Sequence, residues 1–238
     1  GAEPEEALRL ARLIEADDKL ELEGLWTHFA VAEDDAEYTK RQLAVFEETR
    51  GALAAEGIVV PLLHTANTAG ALLFPDARHD MVRVGLGIYG LRPAPEVARH
   101  LDLRPAMRVV SRVSLVRRLS GGERPSYGRR RALPGDSTVA TVPIGYADGL
   151  SRRLSGDGRV LIGGTFRPFA GTVTMDQVVV DVGADPVAIG DEVVVLGAQG
   201  DAAVTADDWA ELLETINYEV VCHFGPRLPR RYVGEGSQ

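Results

Sequence analysis

Lysine is nearly absent from this chain: of 26 basic residues only Lys19 and Lys40 are lysines, and the remainder are arginine. Any chemistry that needs an amine nucleophile has two candidates. Cysteine is scarcer still, with Cys222 alone, which excludes an internal disulfide framework and fits a reducing compartment. There is no uninterrupted apolar run of the roughly 20 residues that a membrane helix needs. The opening GAEPEEALRLARL is acidic and amphipathic rather than a signal peptide, so a cytoplasmic protein with no membrane partner is expected. Positive charge is in deficit as well: 35 Asp and Glu outweigh 26 Lys and Arg, a net charge of -9, and no dense basic stripe with interleaved aromatics occurs. Nucleic acid is therefore not expected as a partner. A Gly-x-Ser-x-Gly elbow is missing, which leaves a serine hydrolase without its nucleophile. What remains is a chain of 238 residues, 45% hydrophobic and 26% charged, long enough for one large domain or two modest ones.

The pattern changes near residue 104. Before it, helical and strand-like segments alternate: a helix over 4–15, a strand within ELEGLWTHFA (21–30), a long amphipathic helix over 36–56 ending at Gly57, a short buried strand over 58–63, a helix after Asn67 and a strand over 81–89. That is the β-α-β-α-β rhythm of a parallel sheet. After Arg104-Pro105, strand follows strand in AMRVVSRVSLVRRL, STVATVPIGY, RVLIGG, FAGTVTMDQVVVDVG and DEVVVLG. One helix interrupts them in VTADDWAELLETI, where Thr205 and Asp208 have capping spacing. Two domains are predicted, α/β over 1–103 and mainly β over 104–238. Three strands cannot close a (β/α)8 barrel of about 250 residues, so the first domain is either a small open sheet or part of a barrel.

Several residues then stand out. GLGIYG at 85–90 satisfies G-x-G-x-x-G, but LRPAP follows where a dinucleotide site needs a helix, so its glycines more simply admit a close neighbour. In HTANTAG, Asn67 or Thr68 caps a helix whose exposed amides attract an anion, and His64 fits either a structural or a functional role. His28 and Arg83 each end an otherwise apolar segment, the position of the catalytic rim in parallel barrels; a buried arginine is equally an ion-pair partner. The remaining histidines, His79, His100 and His223, lack partners at metal-ligand spacing, so no metal is expected. TVPIGYADGL raises a separate question, namely why a strand should end on Tyr146 and turn at once through Ala-Asp-Gly.

Taken in order, EGLWTHFAVAEDD, HTANTAGALLFP, DMVRVGLGIYGL, TVPIGYADGLSRRLS, GTVTMDQVVVDV, VAIGDEVVVLG and INYEVVCHFGPRLPRRYV resemble alanine racemase of the pyridoxal-phosphate, barrel-plus-β-domain type (fold-type III). The resemblance runs from about residue 5 to residue 233. It implies the C-terminal part of a (β/α)8 TIM-like barrel followed by a mainly β domain. It implies interconversion of L- and D-alanine on pyridoxal 5'-phosphate for cell-wall peptidoglycan precursors, in a homodimer. By resemblance Tyr146 is the base for the α-proton of L-alanine, and His28 links that tyrosine to Arg83, which faces the pyridine nitrogen. Asn67, Thr68, Gly85, Leu86 and Tyr218 match the cofactor's phosphate surroundings, His64 supports Arg83, and the Met175 backbone meets the substrate carboxylate. Tyr146 and Met175 would serve the partner subunit's site. A phenol has a reference pKa of about 10, so acting as a base at neutrality asks for about 4 kcal/mol of preferential phenolate stabilisation.

Two family segments have no match: the V-x-K-A-N-A-Y-G-H-G stretch with its Schiff-base lysine, and the Asp-Thr-Gly-Met-x-Arg stretch with its substrate-binding arginine. Lys19 and Lys40 sit before a strand and on a helix, away from any catalytic strand end. The expectation is a C-terminal piece of a racemase, with both segments upstream of Gly1 and no activity on its own. The alternatives are a non-catalytic dimerisation module and a racemase of broader amino-acid range.

Overall fold

The computed structural model describes residues 1–95, 97, 99 and 101–234. His100 lies outside the described residues. The chain divides into two compact units, Gly1–Arg104 and Pro105–Gln238.

The first unit opens with α1 (Pro4–Glu15), where proline in the first turn and Glu5 and Glu6 beside it suit the helix start. Next come β1 (Leu25–Trp26), α2 (Ala36–Ala55), β2 (Leu63–His64) and α3 (Thr68–Leu73). Asp35 caps α2 by accepting from the Tyr38 N–H, and Gly57, at φ 78°, ends it. β1 and β2 pair in parallel, Leu25 beside Leu63 and Trp26 beside His64. Ala11, Leu53 and Ile58 form one core cluster, and Phe29, Ala32, Ala66, Ala69 and Ala77 form another.

The strands are shorter than the apolar runs suggest. The segment 21–30 contributes two strand residues, and the expected strand over 58–63 shifts to Leu63–His64, with Val59 exposed to solvent ahead of it. The expected strand over 81–89 is absent: Met81–Gly85 joins no ladder, and Leu86–Tyr89 winds into a 3-10 turn closed by Gly90 at φ 74°. One backbone bond, Arg83 N–H to Ala66 O at 2.9 Å, fixes this segment beside the end of β2.

The second unit contains β3 (Val109–Arg112), β4 (Leu115–Leu119), β5 (Ser137–Val142), β6 (Arg159–Ile162), β7 (Thr165–Pro168), β8 (Val178–Gly183), β9 (Glu192–Gln199) and β10 (Ala202–Val204), followed by α4 (Ala206–Leu213) and α5 (Asn217–Cys222). One sheet orders β10-β9-β6-β7 with β3 also on β9, and the other orders β4-β5-β8. β8 strictly alternates buried and less buried positions, the signature of a strand with one face in the core, whereas β5 is buried at four of its six positions. Thr205 and Asp208 form the reciprocal cap of α4 that their spacing suggested.

Two expectations need correction here. β5 stops at Val142, because Pro143 has no N–H to continue the ladder, and Tyr146 instead begins a 3-10 turn. The run 169–183 is not one strand: Val178–Gly183 forms β8, Phe169 makes an isolated antiparallel bridge back to Val180, and Gly171–Gln177 between them is a loop closed by the Thr174 N–H on Gln177 O at 2.9 Å. β7 and α5 were not anticipated. The Gly163-Gly164 pair, with φ 60° and 75°, was the available signal for a two-residue hairpin joining β6 to β7.

Candidate functional site

In the first unit, chain ends that lie far apart in sequence deliver their polar groups to one guanidinium. Arg83 Nη1 lies 2.6 Å from His64 Nδ1 and donates to His64 O at 3.1 Å. Its Nη2 donates to Thr27 O at 2.8 Å and Thr65 O at 3.3 Å, and lies 3.3 Å from His28 Nδ1. An arginine can only donate, so both imidazole Nδ1 atoms accept, which places the ring proton of the neutral form on Nε2. Trp26 closes one side, with its ring 5.1 Å from the guanidinium and stacked on His64 at 5.9 Å. Burial pushes the Arg83 guanidinium below its usual range without threatening its charge. Burial first, and the Arg83 charge second, push the His64 imidazole down, so His64 is neutral at physiological pH. Both Nη groups are committed, which leaves the Nε–H as the Arg83 donor with no partner among the described residues.

Beside this cluster, Asn67 caps α3 by accepting from the Gly70 N–H at 2.8 Å. The Thr68 hydroxyl accepts from the Gly85 N–H at 3.2 Å, so its own proton remains to donate. Gly87, rather than Gly85, is the glycine that close packing requires: a Cβ there would stand 2.9 Å from Thr68 Cγ2, while nothing lies within 4 Å of one at Gly85. Neither lysine joins the group. Lys40 pairs with Glu37 at 2.8 Å on the exposed face of α2, and the Lys19 backbone N–H is bound to Asp17.

In the second unit the candidate residues are held by backbone. Tyr146 N–H donates to Thr174 O and Ala147 N–H to Met175 O, both at 3.0 Å. A Cβ on Gly145 would lie 2.3 Å from each of those two carbonyl oxygens, so the approach is open only to glycine. Tyr146 and Met175, 29 positions apart in the sequence, are thereby fixed to each other, and both are exposed. Tyr218, in the first turn of α5, is the third exposed residue of the expected set in this unit.

The same loop holds a residue that the sequence reading passed over. The Ser126 hydroxyl donates to Thr172 O at 2.6 Å, and the Thr172 hydroxyl donates to Tyr127 O at 2.7 Å. Tyr127 is 74% exposed against 43% for Tyr146. It is flanked by Ser126 at φ 69°, ψ 177° and by Arg129 at φ 46°, left-handed conformations that cost a side-chain-bearing residue about 1–3 kcal/mol each. A glycine again admits the contact, since a Cβ on Gly171 would stand 2.4 Å from Pro125 O. The signal in the sequence was Pro-Ser-Tyr-Gly, a turn with an aromatic at its tip.

Among the described residues no cluster of three or more His, Cys, Asp or Glu is arranged to hold a metal, and no helix is long and apolar enough to cross a membrane. The chain matches a family model described as "Alanine racemase, C-terminal domain" over residues 106–232, and one described as "Alanine racemase, N-terminal domain" over residues 1–93. It belongs to the alanine racemase family. A curated alanine racemase of Symbiobacterium thermophilum is 45% identical over 99% of the chain, which corresponds to 63% of that protein. The solved alanine racemase of Streptomyces lavendulae, a D-cycloserine producer, superposes with a TM-score of 0.91 at 38% identity, over 98% of this chain and 62% of that one. The alanine racemase of Bacillus anthracis with bound L-Ala-P also gives 0.91, at 36% identity, over 99% of this chain and 61% of that one. The chain thus spans about six-tenths of the length of the racemases it matches. Its fold is that of the racemases, part of a TIM-like barrel and a mainly β domain, although the two-stranded sheet of the first unit is not closed.

Proposed function

We propose that this chain is the portion of an alanine racemase that binds pyridoxal phosphate through its ring nitrogen and phosphate and supplies a proton-transferring tyrosine. The observation that carries the reading is the Arg83 cluster, in which two histidines and three backbone carbonyls fix a guanidinium and leave its Nε–H unengaged. A permanent donor suits a ring nitrogen that must accept, and it keeps that nitrogen unprotonated. The cofactor, when bound, supplies the electron sink that makes an amino-acid α C–H bond acidic. Restraining that sink favours racemisation over transamination. The Thr68 hydroxyl and the Leu86 amide would hold the phosphate, with Gly85, whose N–H holds the Thr68 hydroxyl in place, and Asn67 shaping the surroundings and Tyr218 as a further contact. His64 would hold Arg83 in place, and His28 would pass its influence toward the tyrosine.

Tyr146 would move the α-proton and the Met175 backbone would receive the substrate carboxylate, each for the partner subunit of a homodimer. The biological setting that fits is cytoplasmic supply of D-alanine to peptidoglycan synthesis. A second reading has its own support: the more exposed Tyr127 lies between Ser126 and Arg129, whose positive-φ conformations are costly and of the kind kept near reacting groups, and Tyr127 would then be the proton carrier, with Tyr146 in the substrate's path. Tyr146→Phe and Tyr127→Phe in the racemase that contains this chain separate the two. Loss of about a hundredfold or more in kcat marks the carrier, because general acid–base groups contribute about 10² to 10⁴. Full activity in both variants would overturn the tyrosine assignment.

A further inference from the structure

Past α5 the chain runs through Phe224, Gly225 and Pro226 to Arg227, whose guanidinium reaches two carboxylates on two different segments. Its Nε is 3.3 Å from Asp148 Oδ1 and its Nη2 is 2.7 Å from Asp176 Oδ1. Asp148 is the acid of the Gly145–Gly149 turn, and Asp176 directly follows Met175. The other Asp148 oxygen, Oδ2, accepts from the Gly145 N–H at 2.9 Å, and the Asp148 side chain is only 9% exposed. Gly149 presses the turn against the end of α5, where a Cβ would lie 2.6 Å from His223 O. Three segments therefore meet here, and without Arg227 two of them would face each other as carboxylates, one nearly buried. A planar fork can hold two acids in two directions at once, which a single ammonium does less well.

We infer that Arg227 is a positioning residue that locks the Tyr146 turn to the Met175 segment and so sets where the Tyr146 phenol stands relative to the Met175 backbone. The inference rests on the reading of those two residues given above, but its first test does not. In Arg227→Gln, amide hydrogen exchange should quicken at least tenfold at Tyr146 and Ala147, whose N–H groups bond Thr174 and Met175, while the amides of β5 and β8 keep their protection. Should that variant not fold, Arg227→Lys takes its place and should quicken the same two amides. Unchanged exchange at both, or a uniform rise across the second unit, would overturn the inference. The racemase that contains the chain gives the second readout: KM for alanine should rise and kcat fall while the affinity for pyridoxal phosphate stays the same. Local loosening without any change in KM or kcat would leave the clamp standing and count against the assigned roles of Tyr146 and Met175.

Discussion

In the first unit a guanidinium gathers side chains around itself, whereas in the second unit glycines let backbone meet backbone and the tyrosines simply ride on the result. The Arg83 cluster is electrostatic: its properties depend on which atoms donate, which accept and how much water is excluded. The loop 171–176 is mainly geometric: it ties Ser126–Tyr127 on one side and Tyr146–Ala147 on the other through hydrogen bonds between uncharged groups, to which the Arg227 fork between Asp148 and Asp176 is added. A charge can be tuned by small substitutions, but a backbone contact at the limit of approach is either allowed or not. The two units should therefore fail in different ways when perturbed.

The largest effect is expected at Gly145. Gly145→Ala places a methyl 2.3 Å from two carbonyl oxygens, so the turn must move; the cost is at or beyond the upper end of the about 1–3 kcal/mol typical of overpacking. Chemical denaturation of the second unit checks it, and an unchanged midpoint would mean that the turn is softer than its packing implies. Next comes Arg83→Gln, which removes the charge and the forked donors while keeping an uncharged polar side chain. In the racemase that contains this chain it should, on the proposed function, cut racemisation by tenfold or more, with a Tm shift far smaller than that of Gly145→Ala. If the two variants lost stability equally, the contrast between an electrostatic and a geometric unit would fail.

The pH response sharpens the same contrast. His64 has a lowered pKa in the folded state, so as pH falls below about 6.5 the unfolded chain takes up its proton first. Its stabilising effect is thus complete at higher pH and is lost on acidification from about 6.5 downward. Urea midpoints of the wild type and His64→Gln between pH 8 and pH 5 should converge as the pH drops, and parallel curves would remove His64 from the account. The smallest expected effect is at the α3 cap: Asn67→Ala should cost about 1 kcal/mol, read as a change in the urea midpoint of the first unit, and should leave the second unit untouched.

Much of this was legible in the sequence, and the misses share a cause. Helices announced themselves through caps: Asn67 and the Thr205–Asp208 pair act as their positions suggested, although the Asp35 cap of α2 went unread. Strand limits did not, because an apolar run records burial rather than ladder pairing; Met81–Tyr89 is apolar and still forms no strand. Arg83, His28 and His64 could be picked out as polar groups closing apolar segments, but only the fold shows that the two Nδ1 atoms face one guanidinium. Tyr127 was missed because its marker is backbone strain at Ser126 and Arg129, which residue types barely encode. Arg227 was hidden among 24 arginines, since nothing local distinguishes one that spans two carboxylates from one that meets solvent.

The stack of Trp26 on His64 beside Arg83 has a practical side. The chain holds two tryptophans, and they differ greatly in surroundings: Trp26 is 59% exposed, whereas Trp209 is 2% exposed and lies beside Phe224. Each unit therefore carries its own fluorophore. Emission that iodide quenches reports the guanidinium cluster, and emission that it spares reports the β domain, so one cuvette can follow the two halves of the molecule separately without any label.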